Sequence, residues 1–293
     1  MKALVLIDNL YTQYGLNGKE EDGILFLPMM KKELKNKGIR AIRKIHMSLL
    51  LPFKEIWLYK WQNVINQYET IILADAGNTY NVAKYIHTRW PDKRIIIWYR
   101  NSVKAAQIKP EKINRDICEL WSFDKTDCKK YNMSYNPQFY MRNRKYQEKE
   151  KDFDAFFVGQ DKGRMEILNE MKRALDNEGL KNQFCIVGVN SKRLSYNEVL
   201  DYISRSKVII DCKCDWQEGI TLRPLEAMFY QKKLITNCLD IASAPYYRNT
   251  NIFLWGKDDI RKLPEFIKTD YEKIPAEVIN EYDITGWIRR FYS

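Results

Sequence analysis

The chain has 293 residues and a mass of 35.1 kDa, with 45% hydrophobic and 13% aromatic residues, enough material for two α/β domains. The formal net charge is +11, and the whole excess falls within residues 1–150, while residues 151–293 carry equal numbers of basic and acidic side chains. No run approaches the roughly 18 consecutive apolar residues of a membrane span. The six cysteines are scattered, and the first residues run into an apolar strand with no signal-peptide pattern. These features argue against an integral membrane protein and a disulfide scaffold. A cytoplasmic protein is expected, soluble or peripheral on the inner face of the cell membrane.

In the first half, Ala3 to Ile7, Thr70 to Asp75 and Arg94 to Tyr99 are short Ile- and Leu-rich runs bounded by polar turns, the pattern of buried parallel strands. Amphipathic stretches of helical length lie around residues 28–37 and 53–67, and Ile39 to Met47 reads as a further strand that carries His46. The segment from Asn132 to Lys151 is dense in Tyr, Asn, Arg, Lys and Glu, so it reads as an exposed connection with a boundary near residue 150. In the second half, strands are expected over 153–159, 184–189, 208–211, 234–237 and 252–255. A helix is expected over 163–178, with Met165, Leu168, Met171 and Leu175 on one face and Gly179 as its stop. A closing helix is expected within 275–293, packing on the body or crossing back to the first domain. The alternation predicts two Rossmann-like α/β domains facing across a cleft, 1–150 and 151–293.

The chemistry concentrates in Glu218-Gly-Ile-Thr-Leu-Arg-Pro-Leu-Glu226, which follows the strand ending at Asp211. Thr221 or Gly219 suits a helix cap and Pro224 is tolerated only in a first turn. The turn through Gly219, Ile220, Thr221 and Leu222 then offers backbone N–H groups to a diphosphate, with Arg223 as a charge-assisted contact. Glu226 lies within reach of ribose hydroxyls and Glu218 near a sugar; two solvated capping glutamates are the plain alternative. A second turn, Gly159-Gln-Asp-Lys-Gly-Arg164, places Lys162, Gly163 and Arg164 at a helix start after a strand, which suits the same diphosphate. Gly188 and Tyr196, after the next strand, are candidates for the nucleobase.

The string EGITLRPLEAMFYQKKLITN resembles the C-terminal, donor-binding half of the two-Rossmann-domain (GT-B) glycosyltransferases, whose motif has the form E-G-x-x-L-x-P-L-E-A-M followed by a strand. The resemblance implies that Glu218 contacts the donor sugar, Glu226 the ribose, and Lys162 and Arg164 the leaving diphosphate. Thr221, Leu222 and Arg223 stand where that family usually has small residues. Trp121 to Asp127 and Tyr135 to Tyr140 look like segments of bacterial capsular and lipopolysaccharide glycosyltransferases. The implied activity is transfer of a sugar, a hexose by expectation, from a nucleotide-sugar donor to a glycan or lipid-linked acceptor in surface polysaccharide synthesis.

Such transfer needs a stabilised diphosphate and, where the anomeric centre inverts, a base for the acceptor hydroxyl. Asp8 and Asp75, at strand ends, are the candidate bases, and Arg100 and Asn101 are acceptor-side candidates. His46 and His87 are read as structural. No Asp-x-Asp string or paired Cys/His motif points to a metal, so neither a metal nor another cofactor is expected beyond the nucleotide-sugar co-substrate. Met47 to Trp61 mixes aliphatic, aromatic and basic residues, which suits an anionic membrane surface as well as a core. The alternatives are a basic nucleic-acid-binding α/β protein and a non-catalytic sugar-nucleotide-binding partner. With no recognition motif present, nucleic acid is not the expected ligand.

Overall fold

The computed structural model describes residues 2–7, 20–31, 34, 36–49, 51–142, 146–214 and 219–293. The chain divides into two compact units, Met1–Pro137 and Gln138–Ser293.

In the first unit, the elements in order are β1 (Ala3–Leu6), β2 (Glu20–Glu21), β3 (Ile24–Leu27), α1 (Lys37–Ser48), β4 (Thr70–Ala74), α2 (Thr79–Arg89), β5 (Arg94–Tyr99), β6 (Glu119–Ser122), α3 (Lys125–Tyr131) and β7 (Ser134–Tyr135). They build one sheet in the order β2-β3-β1-β4-β5-β6-β7, in which only the β2–β3 pairing is antiparallel. Leu4, Ile71, Leu73 and Ile97 are buried in a core closed by Trp61 and Tyr68, so these Ile-rich runs become strands because both faces of the sheet are covered. The chain leaves β1 for β3 on one side and returns on the other side to β4. The order therefore reverses between β1 and β4, and Asp75 follows directly on β4.

Three expectations for this unit are corrected. Residues 39–47 form helix, not strand: the Asn36 side chain caps α1, accepting from the N–H groups of Gly38 at 2.8 Å and Ile39 at 3.2 Å. Ile39, Ile42 and Ile45 follow a spacing of three, which outweighs the strand preference of β-branched residues. The stretch 53–67 is no single helix but three short 3-10 turns, Lys54–Ile56, Lys60–Asn63 and Ile65–Gln67. Residues 28–31 form no helix but bend around an isolated bridge between Met30 and Leu58, with the Trp61 indole N–H donating to the Met29 carbonyl at 2.9 Å.

In the second unit, β8 (Phe153–Gln160), α4 (Met165–Asn177), β9 (Asn182–Val187), α5 (Tyr196–Ser204), β10 (Ser206–Asp211), α6 (Leu222–Phe229), β11 (Lys233–Thr236) and β12 (Ile252–Leu254) are followed by α7 (Leu263–Lys268), α8 (Ala276–Glu281) and α9 (Ile284–Arg289). The sheet is parallel throughout, in the order β12-β11-β10-β8-β9. Its order reverses between β8 and β10. Leu168, Met171 and Leu175 bury the apolar face of α4 against this sheet. Gly179, at φ +65°, ends that helix as its sequence indicates. The closing segment is two short helices instead of one.

The division at Pro137/Gln138 lies ahead of the boundary near 150, and the segment after it is not simply exposed. Phe139 and Tyr140 are buried. The Phe139 ring lies 4.5 Å from that of Trp287, and the Tyr140 ring 5.1 Å from that of Phe229. Burying one such ring contributes about 2–3 kcal/mol, enough to fasten this part of the chain to the second unit. Downstream, Lys232 Nζ donates to Glu148 Oε1 at 2.7 Å, and Lys149 pairs with Asp201 at 2.6 Å.

Candidate functional site

In α/β sheets of this kind, ligands bind at the carboxyl ends of the strands where the strand order reverses. In the second unit that point lies between the ends of β8 and β10. It is occupied by Gly159, Arg164, Asp211 and the start of α6. Asp211 ends β10 with only 7% of its surface exposed. Thr221 Oγ1 donates to its Oδ1 and Thr236 Oγ1 to its Oδ2, each at 3.2 Å. Burial pushes the Asp211 carboxyl up, against the pull of Arg223, the two threonine hydroxyls and Arg164. Thr221 stands at the N-cap position of α6, but its hydroxyl serves Asp211 and makes no capping bond to the helix.

One turn into α6, Glu226 is 4% exposed. Arg223 Nη1 donates to its Oε2, closing an i,i+3 ion pair. The Tyr196 hydroxyl donates to Oε1 at 3.0 Å and that of Tyr140 to the same oxygen at 3.4 Å, and the two hydroxyls also bond one another. Burial alone would lower the Arg223 guanidinium, but Glu226 and Asp211 outweigh it and hold Arg223 above its usual range. The result is a cation between two carboxylates at the mouth of a parallel sheet, with tyrosine hydroxyls on one side.

The β8–α4 turn is arranged differently from the sequence expectation. Its N–H groups are not left open: the Asp161 carboxylate accepts from Gly163 at 3.2 Å and from Arg164 and Met165 at 3.0 Å. Lys162 and Gly163 are both left-handed, at φ +51° and +83°. Arg164 folds back over the Phe157 ring, 5.2 Å from its centroid, and donates to the carbonyls of Gln160 and Cys212, which links the ends of β8 and β10. Gly159 makes this possible, since a Cβ there would fall 2.5 Å from Arg164 Nη2. Gly188, at φ +87°, turns the chain after β9. Gly219, at φ +75°, and half-buried Ile220 lead into Leu222, the first residue of α6.

In the first unit, three expected residues come together where β1 and β4 part. Asp75 is 7% exposed. Its Oδ1 accepts from the Arg100 N–H and its Oδ2 from Asn101 Nδ2, both at 3.0 Å, with Arg100 Nε 3.8 Å away. Burial pushes the Asp75 carboxyl up to about 6, although Asn101 and Arg100 pull the other way. Asp8 and Glu218 lie outside the described residues. His46 is structural: Trp57 Nε1 donates to its Nδ1 at 2.7 Å, and its Nε2 meets the Pro52 carbonyl at 2.9 Å. Asp161, Asp211, Thr236 and Tyr140 were not singled out by sequence. Two carried a signal, Asp161 as an acid four residues before the first residue of α4 and Asp211 as a strand-terminal acid.

Two sheets, one parallel throughout and one parallel but for its β2–β3 edge, each reversing its strand order and each flanked by helices, define a chain with the two-Rossmann-domain, GT-B fold. No family model matches the sequence, and comparison with curated proteins finds no match. Among solved structures, the chain is similar to sucrose-phosphate synthase from Thermosynechococcus elongatus, with a TM-score of 0.55 at 10% identity over 100% of this chain and 98% of that one. The apo form of the lipopolysaccharide outer core galactosyltransferase WaaB aligns with a TM-score of 0.49 at 12% identity, covering 100% and 98% of the two chains. The UDP-GlcNAc 2-epimerase of Methanocaldococcus jannaschii, in complex with UDP-GlcNAc and UDP, aligns at 0.41 with 9% identity, covering 100% and 99%. No helix among the described residues is long and apolar enough to cross a membrane.

Proposed function

We propose that this chain is a glycosyltransferase that moves a hexose from a nucleotide-sugar donor to a glycan acceptor carried on a lipid, in the synthesis of a bacterial surface polysaccharide such as lipopolysaccharide or capsule. The observation that carries the reading is buried Glu226, held by Arg223 and Tyr196 beside the switch point of the second sheet, within the motif shared with GT-B glycosyltransferases. In this reading its carboxylate accepts from the ribose hydroxyls of the donor, exchanging the tyrosine hydroxyls it holds in the structure for them. On the same reading Glu218 contacts the sugar, Gly188 and Tyr196 contact the base, and the Gly219–Arg223 turn contacts the diphosphate together with the side chains of the β8–α4 turn.

In the reaction, the acceptor oxygen forms a bond to the anomeric carbon while the bond from that carbon to the diphosphate oxygen breaks, and the diphosphate leaves with the electron pair. Lys162 and Arg164 offset its charge, without a metal or other cofactor. In an inverting reaction Asp75, or Asp8, takes the acceptor proton; Arg100 and Asn101 orient the Asp75 carboxylate. A carboxyl whose proton leaves at about pH 6 is ionised and ready as a base at neutral pH. The protein works at the cytoplasmic face of the membrane, its basic first unit toward anionic lipid.

The test is thermal unfolding with UDP-, GDP-, dTDP- and CMP-sugars. A donor at a hundredfold excess over its Kd stabilises the native state by about 2.7 kcal/mol. Stabilisation by one nucleotide class, lost in Lys162→Ala and in Glu226→Gln, is the expected result. If every nucleotide sugar leaves unfolding unchanged, the donor site is not where this reading puts it.

A further inference from the structure

Helix α1 is unusual for a helix of an α/β domain. Of its residues only Met47 is buried, with Arg43 and His46 half-buried, and the rest face solvent. Ile39, Ile42 and Ile45 nonetheless form a ridge, with Ile42 60% and Ile45 58% exposed. The ridge continues beyond the helix into Leu49, Leu51 and Phe53. Phe53 is 75% exposed although its backbone is left-handed, at φ +62°, a conformation costly for an aromatic residue. Apolar side chains displayed in a row on one surface mark a contact face.

The charge around the ridge is of one sign. From Asn36 through Lys54 the sequence contains Lys37, Arg40, Arg43, Lys44 and Lys54 and no acidic residue. Beside Phe53 lies a groove of about 250 Å³ whose lining includes Lys54, Lys84 and Arg89. Lys54 is held below the usual lysine range by burial and by the neighbouring charge of Lys84. The acid lining that groove, Glu55, accepts from the Tyr85 hydroxyl at 2.6 Å. An anionic group entering the groove therefore relieves like-charge repulsion.

We infer that α1 and the Leu49–Phe53 segment form a docking surface for an anionic lipid bilayer. The ridge enters the interface, and Lys54, Lys84 and Arg89 meet lipid phosphate. An apolar stripe rimmed by Lys and Arg is the composition of a helix lying in a bilayer interface. A second copy of this chain fits the face poorly. A two-fold contact would set one basic rim against another, with no acid between Asn36 and Lys54 to offset it. The inference gives the proposed membrane partner a location, but its evidence is independent of the donor site, so either can fail alone.

The full chain is mixed with sedimenting vesicles of phosphatidylcholine, with and without phosphatidylglycerol. Ile42→Asp/Ile45→Asp and Lys84→Glu alter the face at solvent-exposed or groove-lining positions, and Leu239→Asp, an exposed apolar position in the second unit, is the control. Thermal unfolding verifies that each variant is folded. Binding is expected to require phosphatidylglycerol. It should fall about tenfold or more in the double variant and by more than about fivefold in Lys84→Glu, since one basic residue near an anionic surface is worth about 1 kcal/mol and the reversal adds a repelling charge. It should remain in Leu239→Asp. Absence of binding to anionic vesicles, equal binding by the double variant, or a concentration-dependent dimer abolished by that variant would each overturn the inference.

Discussion

Tyr196, the first residue of α5, donates its hydroxyl to Glu226 on α6 across 3.0 Å, so two helices on the same side of the switch point share one buried carboxylate. Tyr196→Phe keeps the ring and removes only this donor. A hydrogen bond to a charged group is worth about 1.5–3 kcal/mol, and the variant is expected to lose stability within that range in urea unfolding. Glu226→Ala should cost more, about 3–5 kcal/mol, because it strips Arg223 of its ion-pair partner. A Glu226→Ala variant as stable as the parent would show that the carboxylate does not hold this corner of the fold.

Asp75 makes stability depend on pH in an unusual direction. Its folded-state pKa is raised from 3.8 to about 6, so between these values the native state binds more proton than the unfolded chain, and this group's contribution declines as pH rises. The contribution is full below about pH 4 and lost above about pH 6, a difference on the order of 2–3 kcal/mol. Asp75→Asn cannot ionise. The stability difference between variant and parent should therefore shift in the variant's favour from pH 4.5 to pH 7, measured by denaturant unfolding at both. A difference that stays constant over this interval would sink the assignment.

The features that chain order alone could reveal were those in which one local signal was unopposed. Strands β4, β5, β8 and β10 are apolar runs ending in polar turns, and α4 carries its buried face at regular spacing, so sequence and structure agree there. Asp75, Arg100 and Asn101 were legible for the same reason, since each follows a strand of one sheet. In α1 three isoleucines suggest a strand, while the cap at Asn36 and the spacing of three decide for a helix. The pairing of Asp211 with Thr221 and Thr236, and the use of Asp161 on its own turn, depend on which groups meet across a turn or a sheet. Phe139 and Tyr140 were hidden by polar neighbours. Their burial comes from Trp287 and Phe229, far along the chain.

The β8–α4 turn offers two glycines that should respond differently. At Gly159 an alanine Cβ would lie 2.5 Å from Arg164 Nη2 and 3.0 Å from Phe157 Cζ. Arg164 must then leave the carbonyls of Gln160 and Cys212, and a loss of about 1–3 kcal/mol is expected. At Gly163 there is open space around the missing Cβ, and the cost of alanine is only that of its left-handed backbone, about 1–2 kcal/mol. The two differ in coupling. In a double-mutant cycle with Arg164→Ala, measured by urea unfolding, the cost at Gly159 should shrink while that at Gly163 stays within about 0.5 kcal/mol.

Gly286 in α9 tests how tightly the closing helices belong to the second unit. An added Cβ would meet the Asn280 carbonyl oxygen at 2.3 Å and that of Glu281 at 2.7 Å, both backbone atoms of α8 that cannot rotate away. The two helices must then separate. Trp287, the next residue and fully buried, would be drawn off Phe139. Gly286→Ala is therefore expected to cost at least as much as overpacking in a core, about 1–3 kcal/mol or more. Trp287→Ala, which empties the same contact, should cost about 3–5 kcal/mol. If the contact acts as one unit, the two losses are not additive: once Trp287 is absent, α9 has less packing to lose, and Gly286→Ala adds little in the double variant. Simple addition in denaturant unfolding would mean that α9 is held by contacts other than the Trp287–Phe139 pair.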